Sequence, residues 1–467
     1  MLDSRIKIFV NNDVDFSQQS RDKLLEALGL DDIQEIIVLP DIHSKPDNPF
    51  PTGIVTLTKN TVYPYAIGQE IGCGMRVLKT SLSIQDLDRS AIDILFKRIK
   101  DLLRDHLKKK EIFSKKEYLS ILADGHRWAK QNYNIEKEAS VFINQVYGEI
   151  EPPLSVREVI SSLPKDAFWG GYFRLGTLGG GNHFLEAQVV DKVMDQAAAK
   201  RLGIKEGQII FMFHTGSGVL SKRLDNYYGI RYENNIWYKD LRKRLRKYSF
   251  HFSDLRLWRF YKRNRIFFSR EFKGISADSL EAKRFVTAMK ALLNYSFVNR
   301  AIISDFIRKA LSEVVKKDFS IEFFSDTTHE RIDYEEFNGG NYWAHRNGAV
   351  KVYYRNADME ILPIPGFMGG PSFLCLPQKG VIGSRYSVNH GAGRVFDKQE
   401  AKSKFSSQDI CGVLEQKGVR LFKLGNEDIR EQAPAAFKDV YKVLESLKSN
   451  HLVAPIASTF PLAILKG

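Results

Sequence analysis

The sequence predicts an α+β protein. Short apolar runs that end at glycine- or proline-rich turns recur along the chain, as buried strands do. Between them lie longer stretches whose apolar residues repeat at helical spacing. The two kinds of segment are mixed without regular strand–helix–strand alternation, which argues against a doubly wound parallel sheet.

Taken in order, Ile6, Ile8 and Val10 fall on one face of a strand, and Ser20 to Leu28 reads as a short helix. The apolar run Ile36 to Leu39 reads as a buried strand. It ends at Pro40-Asp41-Ile42-His43, and a Pro/Gly-rich loop continues to Gly53. Ile54, Thr56 and Thr58 suggest another strand. Glu70-Ile71-Gly72-Cys73-Gly74-Met75 is a glycine-flanked turn, and Arg76 to Ser81 leads on as a strand. Ile92, Leu95, Phe96, Ile99, Leu102 and Leu103 share one helical face, and a further helix is expected over Tyr118 to Gln131. His106 and His126 sit on these helices without a partner pattern and read as structural.

Ile209 to Phe213 is a buried strand ending at His214-Thr215-Gly216-Ser217-Gly218. Asp278 and Glu281 have capping-box spacing, and the Gly/Pro-free stretch behind them, as far as Phe319, is a long helix or a pair. Ile321 to Phe324, Ala349 to Tyr354 and Ile361 to Pro365 read as strands. So does the end of the chain from Pro461, which closes on Lys466 and Gly467.

Three cysteines (Cys73, Cys375, Cys411) cannot form a disulfide framework, so a reducing compartment fits. No stretch approaches ~18 uninterrupted apolar residues, and the N-terminus lacks an apolar signal core, so the cytoplasm is the expected location. The net charge of +14 suggests a polyanionic partner, with solubility as the alternative. Lys222 to Lys273 carries sixteen Lys/Arg against five Asp/Glu, with Tyr227, Tyr228, Trp237, Tyr238, Tyr248, Trp258 and Tyr261 interleaved. Cations that neutralise phosphates and rings that stack on unpaired bases suit single-stranded nucleic acid. An amphipathic helical insertion with inward-packed aromatics fits the same pattern.

The chemistry concentrates at Gly179-Gly180-Gly181-Asn182-His183-Phe184-Leu185-Glu186. Three glycines let the backbone bend and approach a ligand, and an amide, an imidazole and a carboxylate follow at once. Glu70, Cys73, His183, His214 and His329 together offer a carboxylate, a thiolate and three imidazoles, enough for one or two divalent ions. Such a mixed donor set suits zinc, manganese, iron or cobalt alike. His390 stands apart in His390-Gly391-Ala392-Gly393-Arg394, with a cation four residues on. Nucleophile, acid/base and phosphate contact are all open to it from spacing alone.

These motifs, in this order, resemble the RtcB family of RNA ligases. Pro40-Asp41-Ile42-His43 with Pro51-Thr52-Gly53 is similar to that family's early segment, and Glu70-Ile71-Gly72-Cys73-Gly74 to its Asp-x-x-Cys-Gly metal turn. The glycine–Asn182–His183 stretch and His390-Gly391-Ala392-Gly393-Arg394 are the most specific matches. His214-Thr215-Gly216-Ser217, Asp326-Thr327-Thr328-His329, His345-Arg346-x-Gly348-Ala349, Pro365-Gly366-x-Met368-Gly369 and the terminal Lys466-Gly467 also stand in family order.

The resemblance implies a single large α+β catalytic domain over residues 1–467. It would have mixed and antiparallel sheets, surrounding helices, and residues 222–273 as a basic aromatic insertion. It implies two manganese ions, one on Glu70, Cys73 and His183, the other on Cys73, His214 and His329. It implies GTP as cofactor, contacted by Asn182, Glu186, Ser372, Gly391, Ala392, Gly393, Arg394, Phe437 and Lys466, and His390 as the guanylylated catalytic residue. The partner would be RNA with a 3′-phosphate or 2′,3′-cyclic phosphate and a 5′-hydroxyl, joined in RNA repair or tRNA splicing.

Several positions depart from the family's pattern. Glu70 replaces an aspartate and Phe437 a tyrosine. Gly218 replaces an arginine, Glu330 an asparagine, Asn347 a lysine and Asn389 a cysteine. Two cations are lost and one anion gained near the expected phosphate path. A paralogue that guanylylates 3′-phosphates or opens cyclic phosphates, and an RNA-binding protein with an inactive site, are therefore alternatives to a ligase.

Overall fold

The computed structural model of the protein describes residues 3–44, 48–109, 112–133, 153–229, 241–251, 272–354 and 361–467, with Lys262 and Arg265. Two sheets organise an α+β fold. The larger has eight strands, in the order Leu362–Ile364, Ser372–Pro377, Val453–Lys466, Phe184–Val193, Gln208–Thr215, Gly74–Ser83 and Ile321–Thr328, with Arg420–Lys423 branching off Val453–Lys466. Only that branch is parallel; the other pairings are antiparallel. The smaller sheet has five strands, in the order Ile6–Ile8, Ile33–His43, Thr52–Thr58, Gly340–Asn347 and Glu330–Phe337, and only its first pair is parallel.

The long apolar stretch forms one helix, Leu280–Val314, rather than a pair. Its N-cap is Ser279, whose hydroxyl accepts from the Ala282 amide, so the expected Asp278/Glu281 box is displaced by one residue. The helix packs against Arg89–Lys108 and Lys115–Asn132, and its Phe285, Leu292 and Phe297 share a core with Leu185, Phe211 and Phe213 of the large sheet. The helix also buries Asn294, Asn299 and Arg300, polar groups that serve the turns above it. His106 and His126 are structural: His106 Nε2 lies 2.8 Å from the Leu175 carbonyl, and His126 packs on the Phe297 ring.

Three features exceed the sequence reading. The C-terminal strand runs from Val453 to Lys466, and its Pro455 and Pro461 lie beside register shifts, where a missing N–H is tolerated. Glu330–Phe337 and Gly340–Asn347 form a hairpin turned by Asn338 and Gly339, at φ 53° and 77°, the Asn-Gly turn that matches strand twist. Tyr227 and Tyr228, at the start of the basic segment, are buried in the core. Within that segment a helix covers Leu241–His251, while Trp237, Tyr238, Trp258 and Tyr261 lie outside the described residues. Among the described residues no helix is long and apolar enough to cross a membrane.

One end of the large sheet is built by register. Gly74 is opposite both Thr215 and Thr328, and Phe184 is opposite His214. Four neighbouring strand ends thus bring Cys73, His183, His214 and His329 to one place. Beneath them Arg76, Asp326 and Arg300 form a triad with fully buried side chains: Arg76 Nε donates to Asp326 Oδ2 at 2.6 Å, and Arg300 Nη2 to Oδ1 at 2.7 Å. Replacing Asp326 with alanine leaves two buried guanidinium groups without their shared carboxylate. The expected loss is about 3–5 kcal/mol of unfolding free energy, measured by urea denaturation.

Candidate active site

The glycine-rich turn works as its composition requires. Gly179 has φ 81°, and a Cβ there would lie 2.5 Å from His183 Nδ1, so only glycine admits the histidine. Cys73 Sγ lies 3.2 Å from His183 Nε2 and 3.1 Å from His214 Nε2. His214 Nε2 is 3.3 Å from His329 Nε2, and Glu70 Oε2 is 3.2 Å from His183 Nε2. Cys73, His183 and His214 alone place their ligand atoms within 4.8 Å of one another.

The donor chemistry fits a cation. Burial pushes the Cys73 thiol well up, with Glu70 and Glu330 adding to it, and holds His214 and His329 well below the usual imidazole range. Burial also raises Glu70, but His183 and Lys222 outweigh it and keep its carboxyl low. In this environment His214 and His329 face each other as neutral imidazoles beside a protonated sulfur. A divalent ion turns these converging lone pairs into ligands. The cluster is therefore a candidate metal site.

His390 adjoins the cluster. The short pairing of Ala349 with Asn389 brings it in, and its ring centroid is 4.6 Å from that of His329. Its Nδ1 is 2.6 Å from Asp41 Oδ2 and 2.9 Å from the Gly348 carbonyl. Both partners are acceptors, so Nδ1 carries the proton and Nε2 keeps its lone pair. Asp41 is fully buried. Its pairing with His390 spans 349 residues of sequence, so nothing in the local pattern signals the contact.

One cavity joins these groups. Glu70, Cys73, His214, His329 and His390 line it, with Asn182, Glu186, Ser372, Gly391, Ala392, Gly393, Arg394, Phe437 and Lys466. His183 instead lines an adjoining cleft, which shares Glu70 with the cavity and also holds Gly218 and Lys222. The far end of the cavity is unusual electrostatically. Burial lifts the Glu186 carboxyl to about 7 and lowers the Lys466 ammonium to about 7. Arg394, expected among the nucleotide contacts, lines the cavity with its guanidinium held by backbone. Its Nε donates to the Phe396 carbonyl and its Nη2 to that of Glu431, and the guanidinium lies 4.8 Å from the Phe437 ring centroid. It stiffens an aromatic platform. Lys398, which the motif reading passed over, lines the same cavity.

Of the departures named above, Glu70, Glu330 and Phe437 line this cavity. Asn347 donates to the Phe50 and Pro51 carbonyls, and Asn389 donates to the Gly391 carbonyl, so both serve backbone. Gly218 caps the helix Val219–Tyr228.

Replacing Cys73 with alanine removes the one sulfur donor. Cobalt(II) bound to the unaltered protein should show thiolate-to-metal absorbance, absent from the variant. Metal affinity by calorimetry should fall more than about tenfold, or ~1.4 kcal/mol.

Comparison with known proteins agrees with this geometry. A profile described as tRNA-splicing ligase RtcB matches residues 24–467. The chain is 27% identical over 456 residues to a tRNA-splicing ligase RtcB of Thermococcus kodakarensis, covering 92% of this chain and 87% of that one. The protein of the same description from Archaeoglobus fulgidus is 29% identical over 459 residues, covering 92% and 87%. That from Aeropyrum pernix is 28% identical over 480 residues, covering 95% and 91%. With a match over nearly its whole length, and with the cysteine, the histidines and the glycine turn gathered at one sheet end, this chain belongs to the RtcB family.

Proposed function

We propose that this protein is an RNA ligase of tRNA splicing or RNA repair. It joins a 3′-phosphate or 2′,3′-cyclic phosphate end to a 5′-hydroxyl end, with GTP as co-substrate and manganese as the metal. The observation that carries the reading is His390, an imidazole whose Nδ1 is anchored by Asp41, beside the Cys/His cluster in a cavity ending in Phe437, Glu186 and Lys466. Cytoplasm is the setting that suits its reduced cysteines.

Glu70, Cys73 and His183 would hold one ion and Cys73, His214 and His329 the other. Bound there, divalent ions supply charge neutralisation at phosphoryl oxygens. The chain's own residues do the rest. Phe437 offers a ring face to guanine, with Arg394 pinned behind it. Glu186 accepts from guanine's ring N–H and amino group, while Lys466 donates toward its carbonyl, a pattern that adenine does not satisfy. Asn182 and the Gly391–Gly393 backbone orient the phosphates.

His390 Nε2 then attacks the α-phosphate. A P–N bond forms, the α–β P–O bond breaks and pyrophosphate leaves. Asp41 keeps the Nδ1 proton in place and stabilises the imidazolium character that develops as the P–N bond forms. A phosphate oxygen of the RNA 3′ end next accepts GMP from His390. The 5′-hydroxyl attacks that activated phosphate and GMP is released. A cyclic phosphate is hydrolysed to the 3′-phosphate beforehand.

A second reading has one observation in its favour. The Glu330 carboxylate lines the cavity where an RNA phosphate must pass, and like charges repel. A paralogue that stops at a guanylylated 3′-phosphate is consistent with it.

Incubation with manganese and α-labelled GTP separates the readings. Acid-labile label should appear on the chain, vanish in His390→Ala, and lead to joining of a 3′-phosphate/5′-hydroxyl pair. Label without joining favours the capping paralogue; no label on metal-loaded protein removes both. Asp41→Asn should slow labelling about 10²- to 10⁴-fold, because the Nδ1 proton then has no anionic partner.

A further inference from the structure

Lys438 directly follows Phe437, yet its side chain turns away from the nucleotide cavity. It is 3% exposed. Its Nζ donates to the Asp15 carbonyl at 2.5 Å, to Ile42 at 2.6 Å and to Pro40 at 3.1 Å. An ammonium group has three protons, and all three are matched to backbone acceptors. Burial lowers its pKa to about 8 against the opposing pull of Asp41 and Asp15, so it keeps its charge at neutral pH. Burying a cation among carbonyls is costly where an apolar side chain would fill the space, so the position asks for an explanation.

The acceptors supply one. Pro40 and Ile42 flank Asp41, the residue whose carboxylate meets His390 Nδ1 at 2.6 Å. The backbone of Lys438 meanwhile holds the other half of that pair: its amide donates to the Gly393 carbonyl at 3.0 Å. Gly393 has φ 77°, and a Cβ there would lie 2.4 Å from the Asp41 carbonyl, so the two segments touch at this point. The segment carrying the acid, the loop carrying the nucleophile and the guanine platform all converge on one residue.

We propose that Lys438 is a positioning residue for guanylyl transfer: its ammonium fixes the 40–42 backbone so that Asp41 meets His390 while Phe437 holds the base. This rests on the reading of His390 as the nucleophile. Among the described residues the other side chain on the 40–42 carbonyls is His43, whose Nδ1 lies 2.8 Å from that of Asp41; Lys438 alone joins 40 to 42, and it touches none of the clustered Cys73, His183, His214 and His329 side chains. Misplacement of a catalytic group by about 1 Å costs on the order of 100-fold in rate.

The test uses the full-length, manganese-loaded chain and α-labelled GTP. In Lys438→Met the labelling rate at saturating GTP should fall about 10- to 100-fold, with the KM for GTP changed less than about threefold. The double variant Lys438→Met/Asp41→Asn should be no slower than Asp41→Asn alone, since both changes break one linkage. In Lys438→Ala, added methylammonium should restore part of the rate at an unchanged melting temperature. Full activity in Lys438→Met, losses that multiply in the double variant, or a rate loss that merely follows a collapse in thermal stability and resists rescue would each overturn the assignment. Absence of label on the unaltered protein would instead remove the ligase reading itself, so the two failures are told apart.

Discussion

The site hangs on one buried guanidinium. Arg300 donates through Nε and Nη2 to Asp326, and through Nη1 to the carbonyls of Gly72 and Thr215, each at 3.1 Å. Gly72 precedes Cys73, Thr215 follows His214, and Asp326 lies three residues before His329. One planar cation therefore sets the spacing of three strand ends that carry candidate ligands. A lysine could not do this, because a point charge lacks the fixed fork that reaches a carboxylate and two carbonyls at once. With Arg76 on the same carboxylate, the triad has a surplus positive charge, and Arg300 pulls the Cys73 thiol downward against its burial. Arg300 thus offsets part of the penalty that burial and the neighbouring carboxylates place on an anionic sulfur.

The same logic of exclusion runs through the cavity. Buried Glu186 and Lys466 both sit near their titration points, Glu186 raised and Lys466 lowered. A ligand that paired with both would meet groups already desolvated in folding, so little of their hydration would remain to be stripped on binding. Arg394 shows the converse. A cation read from its motif as a phosphate contact is committed to two carbonyls and an aromatic ring. Its visible contribution is to hold the Phe437 ring in the cavity wall.

How much of this was legible depends on whether the signal was local. The glycine turn at Gly179 to Gly181, the Cys73 turn and the His390 loop announce themselves because each compresses its chemistry into a few residues. The strands Ile321–Thr328 and Gln208–Thr215 were found from apolar runs for the same reason. Contacts that span the chain left no such trace. Asp41 reads as a strand-end residue until the fold brings it to His390, and no local pattern marks Lys438, whose ammonium three carbonyls surround. The hairpin after His329 could have been found, since Asn338-Gly339 is a strong turn signal, but its flanking strands are too charged to show alternation. Their charge has a use in the fold: Arg346, Asp333 and Glu335 neutralise one another across the pair.

The departures from the family's pattern also sort by geometry. Counted along the sequence, Gly218, Glu330, Asn347 and Asn389 are four departures in neighbouring motifs. In space they are not equivalent. Asn347 and Asn389 satisfy neighbouring backbone carbonyls, a task that needs an amide and no charge. Gly218, at φ 48°, opens a helix whose Lys222, one turn on, reaches to 3.8 Å from Glu70 in the adjoining cleft. A cation is therefore present beside Glu70 although the position before the helix carries none. Glu330 places a carboxylate in the wall of the cavity, where its charge raises the buried Cys73 thiol. An anion there disfavours an approaching phosphate and favours a bound cation. Among these four positions Glu330 is the one where a charge is gained, and it lies in the same wall as the candidate metal ligands Glu70, Cys73, His214 and His329.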